Sequence, residues 1–427
     1  MPRKTIFALA SGRPPAAIGI VRVSGPLAHQ AGQMLGRELP EVRGASLRTF
    51  RDPATGEILD EGLLLRFNGP ASATGEDVVE FHIHGGRAVA DAMLNALGAI
   101  AGLRLAEPGE FTRRAFQNGR IDLTEAEGLA DLLEAETQSQ RRAALTNAEG
   151  GLRRQIAGWQ ERLLGLSGQA EAAIDYVDEE STGASPDLYR NCGALALELS
   201  EWLDRPRIEP LKDGVRVVIA GPPNSGKSSL LNAIVGSERA IVTEISGTTR
   251  DHVDAPLSVA GVPIVLTDTA GLRETEDVVE ALGVERSRGL ISAADVLVWL
   301  GKPHELPDHG RSIVVHPRCD LPERGNPPHG VLAVSAVTGQ GIGSLLALIG
   351  QEAAQLLPAE GAVALNRRQA TELRAAKDEL DWAGTAGDVV LLAEHLRAAR
   401  RAFDRLTGKA GVENVLDALF CRFCLGK

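Results

Sequence analysis

The sequence predicts a multidomain chain of mixed class: an N-terminal α+β domain, an α-helical bundle domain, and an α/β domain inserted into that bundle. Three observations predict it. Apolar runs at Thr5–Ala10, Ile18–Val23, Gly62–Phe67 and Val78–His84 alternate with Gly/Pro-rich turns and one helical stretch, Ala88–Ile100. Two stripes of helical period, one from Leu152 and one from Val389, flank a segment of different texture. That enclosed segment opens on the apolar run Val215–Ala220 and a Gly-rich turn. The expected boundaries are 1–119 for the first domain, 120–212 and 358–427 for the two parts of the helical domain, and 213–357 for the insertion.

Composition agrees with this division. A chain of 427 residues corresponds to about three domains at ~150 residues each. Hydrophobic residues make up 44% and aromatics 4%, so the cores are aliphatic and Ala-rich, which suits closely packed helices. The net charge of −12 excludes bulk attraction to nucleic acid; such a partner needs a local basic patch or a helper protein. No apolar run approaches the ~18–20 residues of a membrane span, and the short run after Met1-Pro-Arg-Lys reads as a first strand, not a leader. Four cysteines form no disulfide framework. These features suit the cytoplasm and no membrane partner.

In chain order, Asp122-Leu-Thr-Glu125 is a capping-box pattern that opens a helix. The apolar positions Leu152, Ile156, Trp159, Leu163, Leu166, Ala170, Ala173 and Val177 then step by 4 and 3, the seam of one long packed helix. The second stripe is Val389, Leu392, Leu396, Ala399, Phe403, Leu406, and Gly384/Gly387 and Gly408/Gly411 cut that region into separate helices.

The inserted segment carries a nucleoside-triphosphate motif. Gly221-Pro-Pro-Asn-Ser-Gly226-Lys227-Ser228 stands between a strand and a helix beginning at Ser229, the context a phosphate loop requires. Its glycines let backbone N–H groups turn toward phosphate oxygens at a helix N-terminus. Lys227 is placed to neutralise the β/γ charge and Ser228 to ligate Mg²⁺. Gly247-Thr-Thr-Arg-Asp251 supplies switch hydroxyls, Asp268-Thr-Ala-Gly271 a metal-shell carboxylate and a γ-phosphate N–H, and Ser335-Ala336 the loop behind a guanine base. The expected GTP contacts from these motifs are Asn224, Ser225, Gly226, Lys227, Ser228 and Ser229; Gly247, Thr248 and Thr249; Asp268, Thr269, Ala270 and Gly271; and Ser335 and Ala336. Leu272 stands where Ras-like switches place a water-orienting glutamine. Glu274, Glu276, Asp277 and Glu280 are the nearby acids, and they read equally as a solvated loop.

The segments outside the insertion are more specific. Thr74-Gly-Glu-Asp77, His84-Gly-Gly86, Pro108-Gly-Glu-Phe-Thr-Arg-Arg-Ala-Phe116, Asn118-Gly-Arg-Ile-Asp-Leu123 and the terminal Phe423-Cys424-Leu-Gly-Lys427 resemble the MnmE (TrmE) family of tRNA-modification GTPases from Thr5 to Lys427. The resemblance implies a homodimer with a folate-binding N-terminal domain, a helical domain and an inserted Ras-like P-loop GTPase domain. It implies a flavoprotein partner of the MnmG type and tRNA as substrate, modified at C5 of the wobble uridine. A 5-formyl- or methylene-tetrahydrofolate would supply the one-carbon unit. By motif, Arg22, Glu80, Arg120 and Lys427 are the implied folate contacts, with Cys424, the implied catalytic cysteine, near that pocket. Arg22 and Lys427 suit glutamyl carboxylates and Glu80 suits pterin N–H groups. Without the resemblance, Arg22 and Glu80 read as ordinary strand residues. For the GTPase it implies further GTP contacts at Thr243, Glu244, Ile245, Ser246, Arg318 and Asp320, K⁺ held by Asn224 and carbonyls around Thr243, Ile245 and Thr248, Mg²⁺ held by Ser228 and Thr249, Glu280 as water-orienting glutamate and Arg273 as a switch arginine.

Two departures stand out. Pro317-Arg-Cys-Asp320 replaces the guanine-reading Asn-Lys-x-Asp, and Arg120 stands where lysine is common. Only Gly301–Arg311, eleven residues with two prolines, separates two apparent strands, so the usual crossover helix is expected to be lost. Cys421 and Cys424 read as a buried pair of small residues or as half a metal site, and His82 and His84 as structural or metal-binding. The alternative function is a regulatory ribosome-assembly-type GTPase without modification activity.

Overall fold

The computed structural model describes residues 4–175, 185–237, 241–242, 254–269, 288–359, 361–410, 413–423 and 426. The chain forms two compact units. One comprises Met1–Ala130, Leu152–Ala157 and Phe403–Lys427, the other Asp131–Gly151 and Gly158–Ala402.

In the first unit the strands are β1 (Thr5–Leu9), β2 (Ile18–Ser24), β3 (Ala45–Arg51), β4 (Ile58–Phe67), β5 (Val78–His84) and β6 (Leu103–Leu105). They form one sheet in the order β3-β4-β5-β2-β1-β6, antiparallel except for the parallel β1–β6 pair. The helices are α1 (Ala28–Gly36), α2 (Arg87–Gly98) and α3 (Glu110–Gln117). Residues of period two, among them Val21 and Val23, Val79, Phe81 and Ile83, bury one face against Ala31 and Leu35 of α1 and Met93 and Leu97 of α2. The four predicted strands and the helix Ala88–Ile100 all form. Sequence reading left out β3, β6, α1 and α3, whose apolar positions are too few to show a period. In β3, Phe50 is buried while Ala45 and Leu47 are exposed.

Helix α4 (Leu123–Glu134) begins at the expected capping box. The Glu125 N–H donates to Asp122 Oδ1 at 2.9 Å, and the Asp122 N–H donates to Glu125 Oε2 at 2.8 Å. Burial pushes the Asp122 carboxyl up, despite these donors. Helices α5 (Gln138–Ala148), α6 (Gly151–Asp175), α7 (Pro186–Leu203) and α8 (Glu209–Lys212) follow. The predicted seam lies inside α6, with Leu152, Ile156, Trp159, Leu163, Leu166 and Ala170 buried and Ala173 half-buried; Val177 lies outside the described residues. In the second stripe Leu392, Leu396, Ala399, Phe403 and Leu406 are buried and Val389 half-buried on a helix over Val389–Thr407; Gly384 ends one helix and Gly408 follows another as expected, while Gly411 lies outside the described residues.

The second unit contains β7 (Val215–Ala220), α9 (Lys227–Val235), β8 (Ile241–Val242), β9 (Asp254–Val259), β10 (Val262–Asp268), β11 (Val296–Trp299), β12 (Ser312–Pro317), β13 (Leu332–Val334) and α10 (Ile342–Ala354). Sheet order is β13-β12-β11-β7-β10-β9-β8. Strands β7 and β10–β13 run parallel, and β9 turns back antiparallel on β10 and β8. Central strand β7 is apolar on both faces because both are covered. Val215, Val217 and Ile219 meet α9 and α10, while Val218 and Ala220 meet Leu297, Trp299 and Leu306. Between the parallel strands β11 and β12 the only helical element is the 3-10 turn Pro303–Glu305, as expected. Residues 318–331, between β12 and β13, also carry one such turn, Pro322–Arg324, and sequence reading did not single that out. After α10 come α11 (Arg367–Gly384), α12 (the Val389–Thr407 helix) and α13 (Glu413–Phe420).

Candidate functional site

At the C-terminal end of β7 the chain turns sharply into α9. Asn224 (φ +59°) and Gly226 (φ +95°) both take the left-handed conformation. Successive residues of this kind turn N–H groups toward one side and make an anion-binding concavity at a helix N-terminus. Lys227 is buried at the first turn of α9, and its Nζ donates to the carbonyls of Gly221 at 3.1 Å and Pro222 at 3.0 Å. Its ammonium is thus folded over the concavity. Ser228 Oγ donates to Asp268 Oδ2 at 2.5 Å, so a hydroxyl and a carboxylate converge where β10 ends beside α9. Two hard oxygen donors at that spot fit Mg²⁺. Thr269 ties itself back to β7, its Oγ1 donating to the Ile219 carbonyl at 3.1 Å. Ser225 Oγ is buried with no protein partner, and Ser229 is exposed on the first turn of α9.

The base-side segment lies at the ends of β12 and β13. Arg318 is left-handed (φ +57°) and exposed. A Cβ built on Gly226 would stand 3.4 Å from Arg318 Nε, so the Arg318 side chain runs along the phosphate loop. Asp320 is half-buried two residues on. Ser335 is fully buried; its Oγ accepts from the N–H groups of Val337 (3.2 Å) and Thr338 (3.1 Å), which folds the loop that includes Ala336. Thus Asn224–Ser229, Asp268, Thr269, Arg318, Asp320, Ser335 and Ala336 all sit at one end of one sheet. Thr243–Thr249, Ala270, Gly271, Arg273 and Glu280 lie outside the described residues.

A second cluster forms in the N-terminal sheet. Arg22 and Glu80 face each other directly across β2 and β5, with Nε 2.8 Å from Oε1. His82 Nε2 stands 3.4 Å from the other Glu80 oxygen, and the Arg22 guanidinium lies over the Phe111 ring at 5.7 Å. Glu80 is therefore already paired with Arg22 and faces the His82 ring, an arrangement that the spacing does not reveal. Arg120 packs by its stem on the Thr74-Gly-Glu-Asp loop: a Cβ at Gly75 would stand 3.1 Å from Arg120 Cγ. The C-terminal tail reaches this sheet at Gly426 (φ +96°), where a Cβ would stand 2.1 Å from the Leu9 carbonyl oxygen. Only glycine fits there, and the neighbouring Ala8 is directly opposite Arg22. Lys427 and Cys424 lie outside the described residues.

Behind these groups lies a buried ion network that sequence reasoning missed. Glu110 accepts from Arg104 (2.6 and 2.8 Å), Arg114 (2.9 Å) and the Glu107 N–H (3.0 Å). Arg114 also donates to Glu76 at 3.0 Å, and Ser24 Oγ donates to Glu76 Oε2 at 2.7 Å. Burial alone would push the Glu110 carboxyl up; the bonds from Arg104, Glu107 and Arg114 outweigh it and hold it below the usual range. The one available signal was charge inside two of the family-like motifs. Gly109 (φ +69°) of the same stretch lies against α13, a Cβ there standing 2.3 Å from the Phe420 carbonyl oxygen.

Cys421 is exposed just after α13, so the buried-pair reading fails for it, because the helix ends at Phe420. His84 pairs with Asp60 (2.8 Å) and His82 with Glu80, and no group of three or more His, Cys, Asp or Glu that could hold a metal ion occurs among the described residues. No described helix is long and apolar enough to cross a membrane.

A mostly parallel sheet with this strand–loop–helix, its lysine and its serine–aspartate pair defines a P-loop GTPase domain, here set between helical segments. A family model described as the GTP-binding protein TrmE N-terminus matches residues 5–120, and one described as the MnmE helical domain matches residues 123–424. The tRNA modification GTPase MnmE of Erythrobacter litoralis is 51% identical over 99% of this chain and 100% of its own length. That of Zymomonas mobilis is 50% identical over the same shares. Among solved structures, the G domain of the T. maritima FeoB iron transporter aligns with 33% of this chain and 98% of its own, at 24% identity and a TM-score of 0.25; the strand order, not this likeness, carries the fold assignment. The chain belongs to the MnmE (TrmE) family of tRNA modification GTPases.

Proposed function

We propose that this enzyme hydrolyses GTP and, with a flavoprotein partner of the MnmG type, adds an aminomethyl or carboxymethylaminomethyl group to C5 of the wobble uridine of certain tRNAs. It works as a cytoplasmic homodimer with a tetrahydrofolate as one-carbon donor. The domains are 1–119 for folate and dimerisation, 120–212 with 358–427 for the helical part, and 213–357 for GTP. The observation that supports the folate reading is the seat of Gly426 on Leu9, at the strand that pairs with the one carrying Arg22. Arg22 and Lys427 pair with folate carboxylates, Glu80 accepts from the pterin, and Arg120 closes the pocket from the Gly75 loop. Cys424 stands near the pocket.

In the GTPase domain, the 224–229 loop and Lys227 hold the phosphates, Asp320 reads guanine, and Ser335-Ala336 backs the base. Ser228 and Thr249 ligate Mg²⁺, and Asn224 with carbonyls of Thr243, Ile245 and Thr248 holds K⁺. Both cations would stabilise charge developing on the phosphates. Glu280 orients water and Arg273 steadies the switch. Mass spectrometry of wobble uridines from a deletion strain tests the reading: loss of the C5 modification supports it, and intact uridines with a ribosome-assembly defect would replace it. GTP turnover is expected to be faster in K⁺ than in Na⁺; equal rates remove the K⁺ assignment.

A further inference from the structure

Strand β12 ends at Pro317, which has no N–H to donate and no polar side chain. The base-side segment that follows leaves the sheet through a left-handed Arg318 and is tied to β13 by the Cys319 N–H on the Val334 carbonyl, at 3.2 Å. No helix backs it, since residues 318–331 hold only the 3-10 turn Pro322–Arg324. That turn is well fixed. The Arg324 N–H donates to the Leu321 carbonyl at 3.0 Å, the Leu321 N–H to the Arg318 carbonyl at 3.1 Å, and Gly325 (φ +65°) stops the turn. From this turn Arg324 Nε reaches back and donates to the Pro317 carbonyl at 3.2 Å, closing residues 317–324 into a ring.

We propose that Arg324 is a positioning residue for nucleobase recognition: its Nε–H holds the Pro317 carbonyl, and through it sets where Asp320 stands. The inference rests on the guanine-nucleotide reading above. The relevant atom is Nε, not the charge. The donor chemistry can therefore be separated from electrostatic attraction to phosphates, because a glutamine places its Nε2 where arginine has Nε, whereas lysine keeps the charge but puts its donor one atom further out.

The test is a titration of the full chain with GDP, GTP and IDP, comparing wild type with Arg324→Ala, Arg324→Gln and Arg324→Lys. Arg324→Ala is expected to weaken GDP and GTP equally, by roughly three- to tenfold, the scale of one hydrogen bond. It is also expected to lower the preference for GDP over IDP, which lacks the N2 amino group, and to leave kcat at saturating GTP in place. Arg324→Gln should stay within about twofold of wild type, with Arg324→Lys between. Binding kept by lysine but lost by glutamine would show a charge acting on the phosphates and overturn the proposal. So would an alanine variant that binds like wild type, or one that loses affinity with its GDP/IDP preference unchanged. A wild-type chain that binds no guanine nucleotide would remove the nucleotide reading and this inference together, whereas normal wild-type binding with indifferent variants removes Arg324 alone.

Discussion

The two sheets handle charged side chains in opposite ways. In the nucleotide-binding sheet the chemistry comes from one contiguous loop, and Lys227 rests on carbonyls five and six residues before it. In the N-terminal sheet groups far apart in sequence come together, with Arg114 joining the Lys4 carbonyl and Glu76 as well as Glu110 one helical turn away. A parallel sheet gathers its loops at one end, so a short motif can carry a site. An antiparallel sheet offers no such end. The site proposed there draws on cross-strand pairs such as Arg22–Glu80, with a buried network fixing the loops around them. The first kind of site is disabled by changing its motif, the second by changing a residue that touches no ligand.

The largest expected effect tests that second statement. Arg114 is 5% exposed and satisfies two carboxylates. Arg114→Met should cost about 3–5 kcal/mol, since it strands buried charge. The exposed Arg397, which also pairs with two glutamates, should cost far less when changed to Met, because solvent screens its pairs. Denaturant unfolding of the two variants measures the contrast, and equal losses would mean that the buried network is only a surface ion pair in effect. Its pH dependence has a definite sign. The Glu110 carboxyl is held below its usual range in the folded chain, so its contribution is present above the unfolded value and is lost as pH falls through the folded one. Glu110→Gln should flatten the acid limb of the stability profile.

The next effect concerns the tail. Lys427→Ala is expected to weaken folate binding by roughly 1.5–3 kcal/mol, the range for a hydrogen bond to a charged group, with GTP binding unchanged. Gly426→Ala should reach the same outcome by another route, because its Cβ would stand 2.1 Å from the Leu9 carbonyl oxygen and lift the tail off β1. Calorimetry with a tetrahydrofolate reads both. Normal folate affinity in Lys427→Ala takes that residue out of the pocket, and normal affinity in Gly426→Ala takes away the reason for placing the tail there.

What was legible in the sequence divides along the same line. The seam Leu152–Ala170, the strand Val215–Ala220 and the phosphate loop were readable because each has its period or its motif within a short span. The lost crossover helix was readable because eleven residues with two prolines leave no room for one. Strand β3 and helix α3 were not, since too few apolar residues define a face in either. The Glu76–Arg114–Glu110 network was missed for a different reason: Glu110 and Arg114 are an i,i+4 pair on α3 that reads as an ordinary helix-surface pair, Glu76 lies on a separate loop, and nothing local marks the charges as buried. Arg22 and Glu80 were named from resemblance, and only the β2–β5 register makes them neighbours.

The smallest expected effect lies at Pro317, where the nucleotide sheet departs from its own motif logic. The aspartate of the base-reading segment survives as Asp320, half-buried, and Arg318 runs along the phosphate loop at Gly226. What is missing is a side-chain amide at position 317, since proline offers neither that nor an N–H. Losing one neutral hydrogen bond costs about 0.5–1.5 kcal/mol, roughly a factor of 2–13 in affinity. Pro317→Asn is therefore expected to tighten GTP binding within that range. Preference for GTP over ATP should stay as it was, because the proposed reading assigns it to Asp320. If Arg324 already holds the segment, the gain falls at the lower end, and combining Pro317→Asn with Arg324→Ala should leave affinity near that of wild type. Equal affinities for GTP and ATP in the wild-type chain would show that Asp320 does not read the base. The contiguous-motif account of this sheet would then fail at its second loop while standing at its first.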